Sequence, residues 1–280
     1  MNARQFATMS AGIHLRDILP EARTVGSPDV IIHSACGQWN ECEPDDVFVA
    51  VNGIESDGHD FACEAVERGA TAAVGERLMP IRTPQFLVDD SRIAYGRICQ
   101  ALAGNPSQHL ATIGVAGTDG KTVTSHLIDS ILRQSGIKSG LLTSIENCCD
   151  SSTVSGTSEV SPPVAAERLS KMVLGNCTHA VVETSSGTLA QHAWTGVSLD
   201  AAVLTNVRRG NLDSHGSIAN YRRATSRVLD YLKPSGFAVV NADDRESYRL
   251  LDECSAPTLT FGIHRAAEVS AKLLDRHPAF

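Results

Sequence analysis

The sequence predicts an α/β protein, and three observations carry that expectation. Short apolar runs that read as buried strands alternate with stretches whose apolar residues recur at helical spacing. The runs are nearly continuous, not alternating, which is the pattern of parallel strands covered on both faces. The chain has 280 residues, about two domains at about 150 residues each. Residues 1–106 are expected to form a small α/β domain, and residues 107–280 a mostly parallel sheet built around a phosphate loop.

The elements follow in order. Val30 opens VIIHSAC, then DVFVAVNG, both strand-like; HDFACEAVERGA has helical spacing; AAVG and QFLVDD read as strands. The helical stretch SRIAYGRICQALAG leads into Asn105-Pro-Ser-Gln108, a turn and the expected domain boundary. The second series begins with the strand ATIGVAG and a helix from about Lys121. The strand SGLLTS, a loop rich in Ser and Thr, and a helix near Pro162, with proline in its first turn, come next. HAVVETS, DAAVLTNV, GFAVVNA and TLTFGI are the remaining strands.

Composition excludes several classes. At 42% hydrophobic and 20% charged residues the chain is ordinary globular material. It has no apolar run of about 18 residues for a membrane span. The first residues have no apolar stretch of the signal-peptide kind, so a cytoplasmic location is expected. A formal charge of -8 argues against a nucleic-acid partner. The eight cysteines are scattered through a long chain without CxxC spacing, so free thiols are expected and a structural zinc site is not.

The sharpest signal is Gly114-Val-Ala-Gly-Thr-Asp-Gly-Lys-Thr122, between an apolar strand and a helical run. Gly117 and Gly120 allow a tight turn that aims amides and a helix N-terminus at an anion. Thr118, Asp119 and Val123 complete the expected nucleotide loop, Lys121 supplies a compact positive charge, and the Thr122 hydroxyl suits magnesium. The bland alternative is a glycine-rich turn with no ligand. Glu183, at the carboxyl end of HAVVETS, is a candidate magnesium ligand at the edge where parallel sheets bind ligands, or else a solvated carboxylate at a strand end.

This G-T-x-G-K-T form resembles the Mur ligase family, most closely its MurE type, which adds the third amino acid to a UDP-MurNAc-dipeptide. Four later segments share the resemblance: Thr157-Ser158, Glu183-Thr-Ser-Ser186, Thr205-Asn206 with Leu212-Asp213 and His215-Gly216, and Asn241-Ala-Asp-Asp244. In the first half, PDDVFVAVNGIESDGHDF looks like that family's uridine-nucleotide domain. The resemblance implies ATP and magnesium as cofactors. It also implies phosphorylation of a substrate carboxylate to an acyl phosphate, and displacement of the phosphate by an amino acid's amine. Lys121 and Glu183 would be catalytic, Asn241 would join the nucleotide site, and Thr157, Ser158, Ser185 and Gln191 would contact a UDP-MurNAc-peptide-like substrate. Metal ligands would be Thr122, Glu183 and Asn211.

The departures from the family cluster at the chemistry. Asn211 stands where the family has a metal-binding histidine, Gly187 replaces another histidine, and Thr225 takes the place of a carbamate-forming lysine. Ala193 replaces a substrate-gripping arginine, and Gln38-Trp-Asn40 stands where the family reads D-S-R. The family's third domain, which receives the amine, is expected to be absent from this chain or supplied by a separate one. Two readings stay open: a ligase of the MurE type, and a nucleotide-binding relative without ligase activity. A folate or cyanophycin ligase fits the first half less well.

Overall fold

A computed structural model describes residues 12–53, 56–149, 152–155, 160–208 and 215–272. Its packing divides the chain into two compact units. The first comprises Met1–Pro106, Val160–Ser170 and Gln191–Val197, and the second Ser107–Glu159, Lys171–Ala190 and Ser198–Phe280.

The first unit carries strands β1 (Ile13–His14), β2 (Arg23–Val25), β3 (Ile31–Ile32), β4 (Ala35–Cys36), β5 (Val47–Val49), β6 (Ala72–Gly75) and β7 (Gln85–Leu87). Its helices are α1 (Leu15–Ile18), α2 (Ala62–Glu67) and α3 (Ser91–Leu102). Five strands form one sheet in the order β2-β7-β6-β5-β4, parallel except for β2. Successive side chains of a strand point to opposite faces, and both faces here are buried. Val47, Val49, Ala72 and Val74 join Ala94 and Ile98 of α3 in one core. Phe48 and Ala73 join Ala62 and Ala65 of α2 in the other. Asp90 fixes the start of α3 by accepting the amides of Arg92 and Ile93 at 2.9 and 3.2 Å.

Two expectations are corrected in this unit. The run VIIHSAC is two short strands, because β3 pairs with β1 in a separate two-stranded sheet while β4 pairs with β5. Cys36 and Cys42 are not free thiols; they form a disulfide, with Cα atoms 5.5 Å apart. Both are buried in the core that holds Phe48, an arrangement that their spacing along the chain does not announce.

The second unit carries β8 (Ala111–Ala116), β9 (Ser139–Leu142), β10 (Glu146–Cys149), β11 (Ser152–Ser155), β12 (His179–Glu183), β13 (Leu199–Leu204), β14 (Leu232–Asn241), β15 (Thr258–Gly262) and β16 (Val269–Ser270). Helices α4 (Lys121–Gln134), α6 (Ser186–Ala190), α7 (Ile218–Ser226) and α8 (Arg245–Arg249) alternate with them, whereas α5 (Pro162–Leu174) belongs through Ser170 to the first unit. The strand order is β11-β10-β9-β12-β8-β13-β14-β15-β16, and every pairing from β9 to β16 is parallel. The Ser/Thr-rich segment expected as a loop holds the antiparallel hairpin β10–β11. Strands at a sheet edge need no continuous apolar pattern, so their composition conceals them. Val115, Leu141, Val181 and Val203 of four strands form a core with Ile128 and Leu132 of α4 packed against it.

Candidate functional site

Parallel register sets the site. β8 lies between β12 and β13, pairing Val115 with both Glu183 and Val203. The carboxyl ends of all three strands therefore reach one edge, and with them the Gly117–Gly120 loop, Glu183 and the Thr205-Asn206 segment.

The loop is shaped by its glycines and braced by its neighbour. Gly117 has φ +138°, and a Cβ there would collide with the Thr205 hydroxyl and come within 2.9 Å of the Asn206 carbonyl oxygen. Gly120 has φ +80° with nothing within 4 Å of its Cβ position, so it is needed for conformation alone. The Thr118 amide donates to the Asn206 carbonyl at 2.9 Å, and the Asp119 amide to Asn206 Oδ1 at 3.0 Å. Asn206 Nδ2 and the Thr205 hydroxyl return donors to the Asp119 carbonyl at 3.0 and 2.7 Å. Helix α4 then starts at Gly120 with no side chain capping it, which leaves its first-turn amides available to an anion. Lys121 Nζ donates to the Thr118 carbonyl at 2.9 Å, holding the ammonium over the loop.

Glu183 is buried at the end of β12. Its Oε2 accepts the Thr122 hydroxyl at 2.9 Å and the Ser144 amide at 3.2 Å, and the Ser144 hydroxyl lies 3.4 Å from both carboxylate oxygens. A hydroxyl, a carboxylate and a second hydroxyl form a hard-oxygen donor set beside the uncapped start of α4, so these residues fit a magnesium ion.

The other candidates fall in different places. Asn241 spends its amide on bracing: Nδ2 donates to the Thr205 carbonyl and Oδ1 accepts the Asp243 amide, both at 2.9 Å. Ser185 Oγ accepts the Thr188 amide at 3.1 Å at the start of α6, and Gln191 and Val123 are exposed. Thr157, Ser158 and Asn211 lie outside the described residues. Thr225 is buried and its hydroxyl donates to the Tyr221 carbonyl of its own helix at 2.9 Å. At Gly187 a Cβ would meet only Ser185 Oγ, at 3.8 Å, so a Cβ is accommodated there, whereas Ala193 is enclosed.

Several bracing residues had no role in the sequence analysis, although Asp243 and Asp244 lie in the Asn241-Ala-Asp-Asp244 segment quoted there. Asp244 accepts the Val207 amide at 3.0 Å and the Ser247 amide at 2.8 Å, joining the segment after β13 to the cap of α8. Asp243 accepts the amides of Ile263, His264 and Arg265, and the Ile263 amide first among them holds its carboxyl below the usual aspartate range. An aspartate just before a short helix is a capping signal and could have revealed Asp244. Ser144 and Tyr221 carry no such local sign.

Comparison with known proteins gives the family and the fold. Residues 115–278 match the Mur ligase middle domain, and residues 40–98 match the Mur ligase family catalytic domain. The UDP-N-acetylmuramoyl-L-alanyl-D-glutamate--2,6-diaminopimelate ligase of Cytophaga hutchinsonii is 32% identical over 254 residues, covering 89% of this chain and 52% of that protein. The enzyme of the same name from Geobacillus thermodenitrificans is 33% identical, covering 90% and 53%. A solved structure of a ligase of that name superposes with a TM-score of 0.78 at 20% identity, covering 93% of this chain and 54% of that one. MurF from Thermotoga maritima in complex with ADP matches at a TM-score of 0.52 and 23% identity, covering 83% and 51%. The chain spans about half the length of the curated relatives it matches.

Proposed function

The chain belongs to the Mur ligase family, and from that premise we propose that residues 107–280 bind ATP with magnesium at the Gly117–Thr122 loop. We further propose that residues 1–106 serve the uridine end of a UDP-MurNAc-peptide. The reaction class is ATP-dependent joining of an amino acid to that peptide's carboxylate, in the cytoplasm where ATP is supplied. The observation that carries the reading is the Thr122 hydroxyl 2.9 Å from the Glu183 carboxylate, one residue after Lys121 and at the first turn of α4.

Each residue has a physical task. The α4 amides and Lys121 would receive phosphate oxygens and offset their charge. Thr122, Glu183 and Ser144 would hold magnesium, which when bound supplies further positive charge against the phosphates. Asn206 and Asn241 keep the loop in place. The name shared by the relatives supports peptidoglycan precursor synthesis as the setting.

A second reading, nucleotide binding without ligation, is favoured by one observation. The Thr225 hydroxyl is consumed within α7, and threonine cannot form the carbamate that the family's lysine offers the second metal. Calorimetric titration of the protein with ATP and magnesium, followed by UDP-MurNAc-dipeptide, tests both readings. Saturable ATP binding that is lost in Lys121→Ala is expected. Equal binding by the variant would remove the phosphate loop from the site.

A further inference from the structure

Two threonines flank the phosphate loop, and their hydroxyls are wired in opposite senses. A threonine hydroxyl has one proton to donate and two lone pairs to accept. Thr122 gives its proton to Glu183, which leaves its lone pairs for a cation. Thr118 does the reverse: Oγ1 accepts the Arg208 amide at 2.8 Å and the Tyr221 hydroxyl at 2.9 Å.

The direction of the Tyr221 bond follows from its surroundings. Tyr221 is 1% exposed, and among the described residues its hydroxyl has no partner but Thr118. A buried phenol proton left unpaired is costly, so Tyr221 donates. Its ring is held edge-on by His215, at 5.3 Å between centroids and 72° between planes. His215 Nε2 is in turn 3.0 Å from Ser186 Oγ. The Arg208 donor is a backbone N–H and cannot reverse. Both lone pairs of Thr118 are thereby filled, and its proton is the one hydrogen-bonding capacity it has left. Thr118 is half-buried on the loop, and no acceptor among the described residues takes that proton.

We propose that Thr118 is a directed donor to a phosphate oxygen of the bound nucleotide and that Tyr221 is the positioning residue that fixes its direction. The proposal rests on the nucleotide reading above and adds a device for selecting anions. A hydroxyl with both lone pairs occupied cannot ligate a metal or receive a proton, so it accommodates only an acceptor, and phosphate oxygens are acceptors. The loop thus sorts charge: Thr122 faces the cation and Thr118 the anion.

Calorimetry with magnesium and ATP on the full chain tests this through Thr118→Val, Thr118→Ser, Tyr221→Phe and the Thr118→Val/Tyr221→Phe pair. Thr118→Val is expected to weaken ATP binding about tenfold or more, the scale of a lost hydrogen bond to a charged group. Thr118→Ser, which keeps the hydroxyl, should stay within about twofold. Tyr221→Phe should cost about three- to tenfold, and the double variant no more than Thr118→Val alone, because Tyr221 acts only through Thr118. Multiplied losses in the pair, or equal binding by Tyr221→Phe and wild type at unchanged melting temperature, overturn the proposal. If wild type binds ATP and Lys121→Ala does not, such a result removes this inference and leaves the nucleotide site standing. If wild type does not bind ATP, both fall.

Discussion

At the residue scale, Glu183 and the loop glycines give the sharpest expectations. Glu183→Gln removes the negative charge and turns one of the two oxygens around which Thr122 and Ser144 donate into an amide NH2. The variant should lose about 1–3 kcal/mol of stability and most of the magnesium dependence of ATP binding. Titrations with and without magnesium check this, and undiminished stimulation by the metal would take Glu183 out of the cation site. The two glycines should separate. Gly117→Ala adds a collision with Thr205 to a strained φ and should cost at least about 2 kcal/mol together with nucleotide binding. Gly120→Ala meets only strain, about 1–2 kcal/mol. Chemical denaturation of both variants measures the gap, and equal losses would mean that the Thr205 contact does not shape the loop.

At the scale of elements, the Gly117–Thr122 loop depends on segments distant along the chain. Thr205-Asn206 holds the loop, Asn241 holds Thr205, and Asp244 holds Val207. The three strand ends after β8, β13 and β14 therefore behave as one braced edge. In the first unit the turn before α2 is pinned at Asp57. Burial alone would raise its carboxyl, but the His59 amide, the His59 ring and Arg77 outweigh that and lower it from 3.8 to about 2. The folded value is depressed, so the stabilisation is present above about 3.8 and lost as pH falls toward about 2. Wild-type stability should therefore fall more steeply than that of Asp57→Asn across this window in acid unfolding followed by circular dichroism. Parallel curves would remove Asp57 from the acid transition. For the Cys36–Cys42 pair, reduction should add two alkylations per chain by mass spectrometry. A count unchanged by reductant would mean the pair is dithiol in the isolated protein, as the cytosol favours.

At the scale of the whole molecule the two readings separate: the second expects the chain to bind ATP with magnesium yet form no amide product from ATP, UDP-MurNAc-dipeptide and diaminopimelate, where the first expects product. ADP release coupled to mass detection of the tripeptide checks this. The expectation of no product rests on Thr225, whose hydroxyl is spent within α7, and on Gly187, which carries no ligand side chain. Robust product would show that other residues supply the second metal's ligands.

The sequence by itself determined the alternation of strands and helices, the position of the glycine-rich loop between β8 and α4, and the adjacency of Lys121 and Thr122. Each is a property of near neighbours: periodicity marks the elements, and Gly117 and Gly120 mark the turn because only glycine takes their φ freely. The hairpin β10–β11 escaped because an edge strand need not be apolar, and the Cys36–Cys42 disulfide because spacing alone does not bring two side chains together. Only the tertiary structure decided that Asn206 would brace Asp119 from 87 residues away, that Tyr221 would reach Thr118 across 103, and that Ser144 would meet Glu183 across 39. The physical reason is that parallel crossovers deliver strand ends to one edge whatever their distance along the chain. A hydrogen bond then depends on angle and separation within a fraction of an ångström, which no residue pattern records.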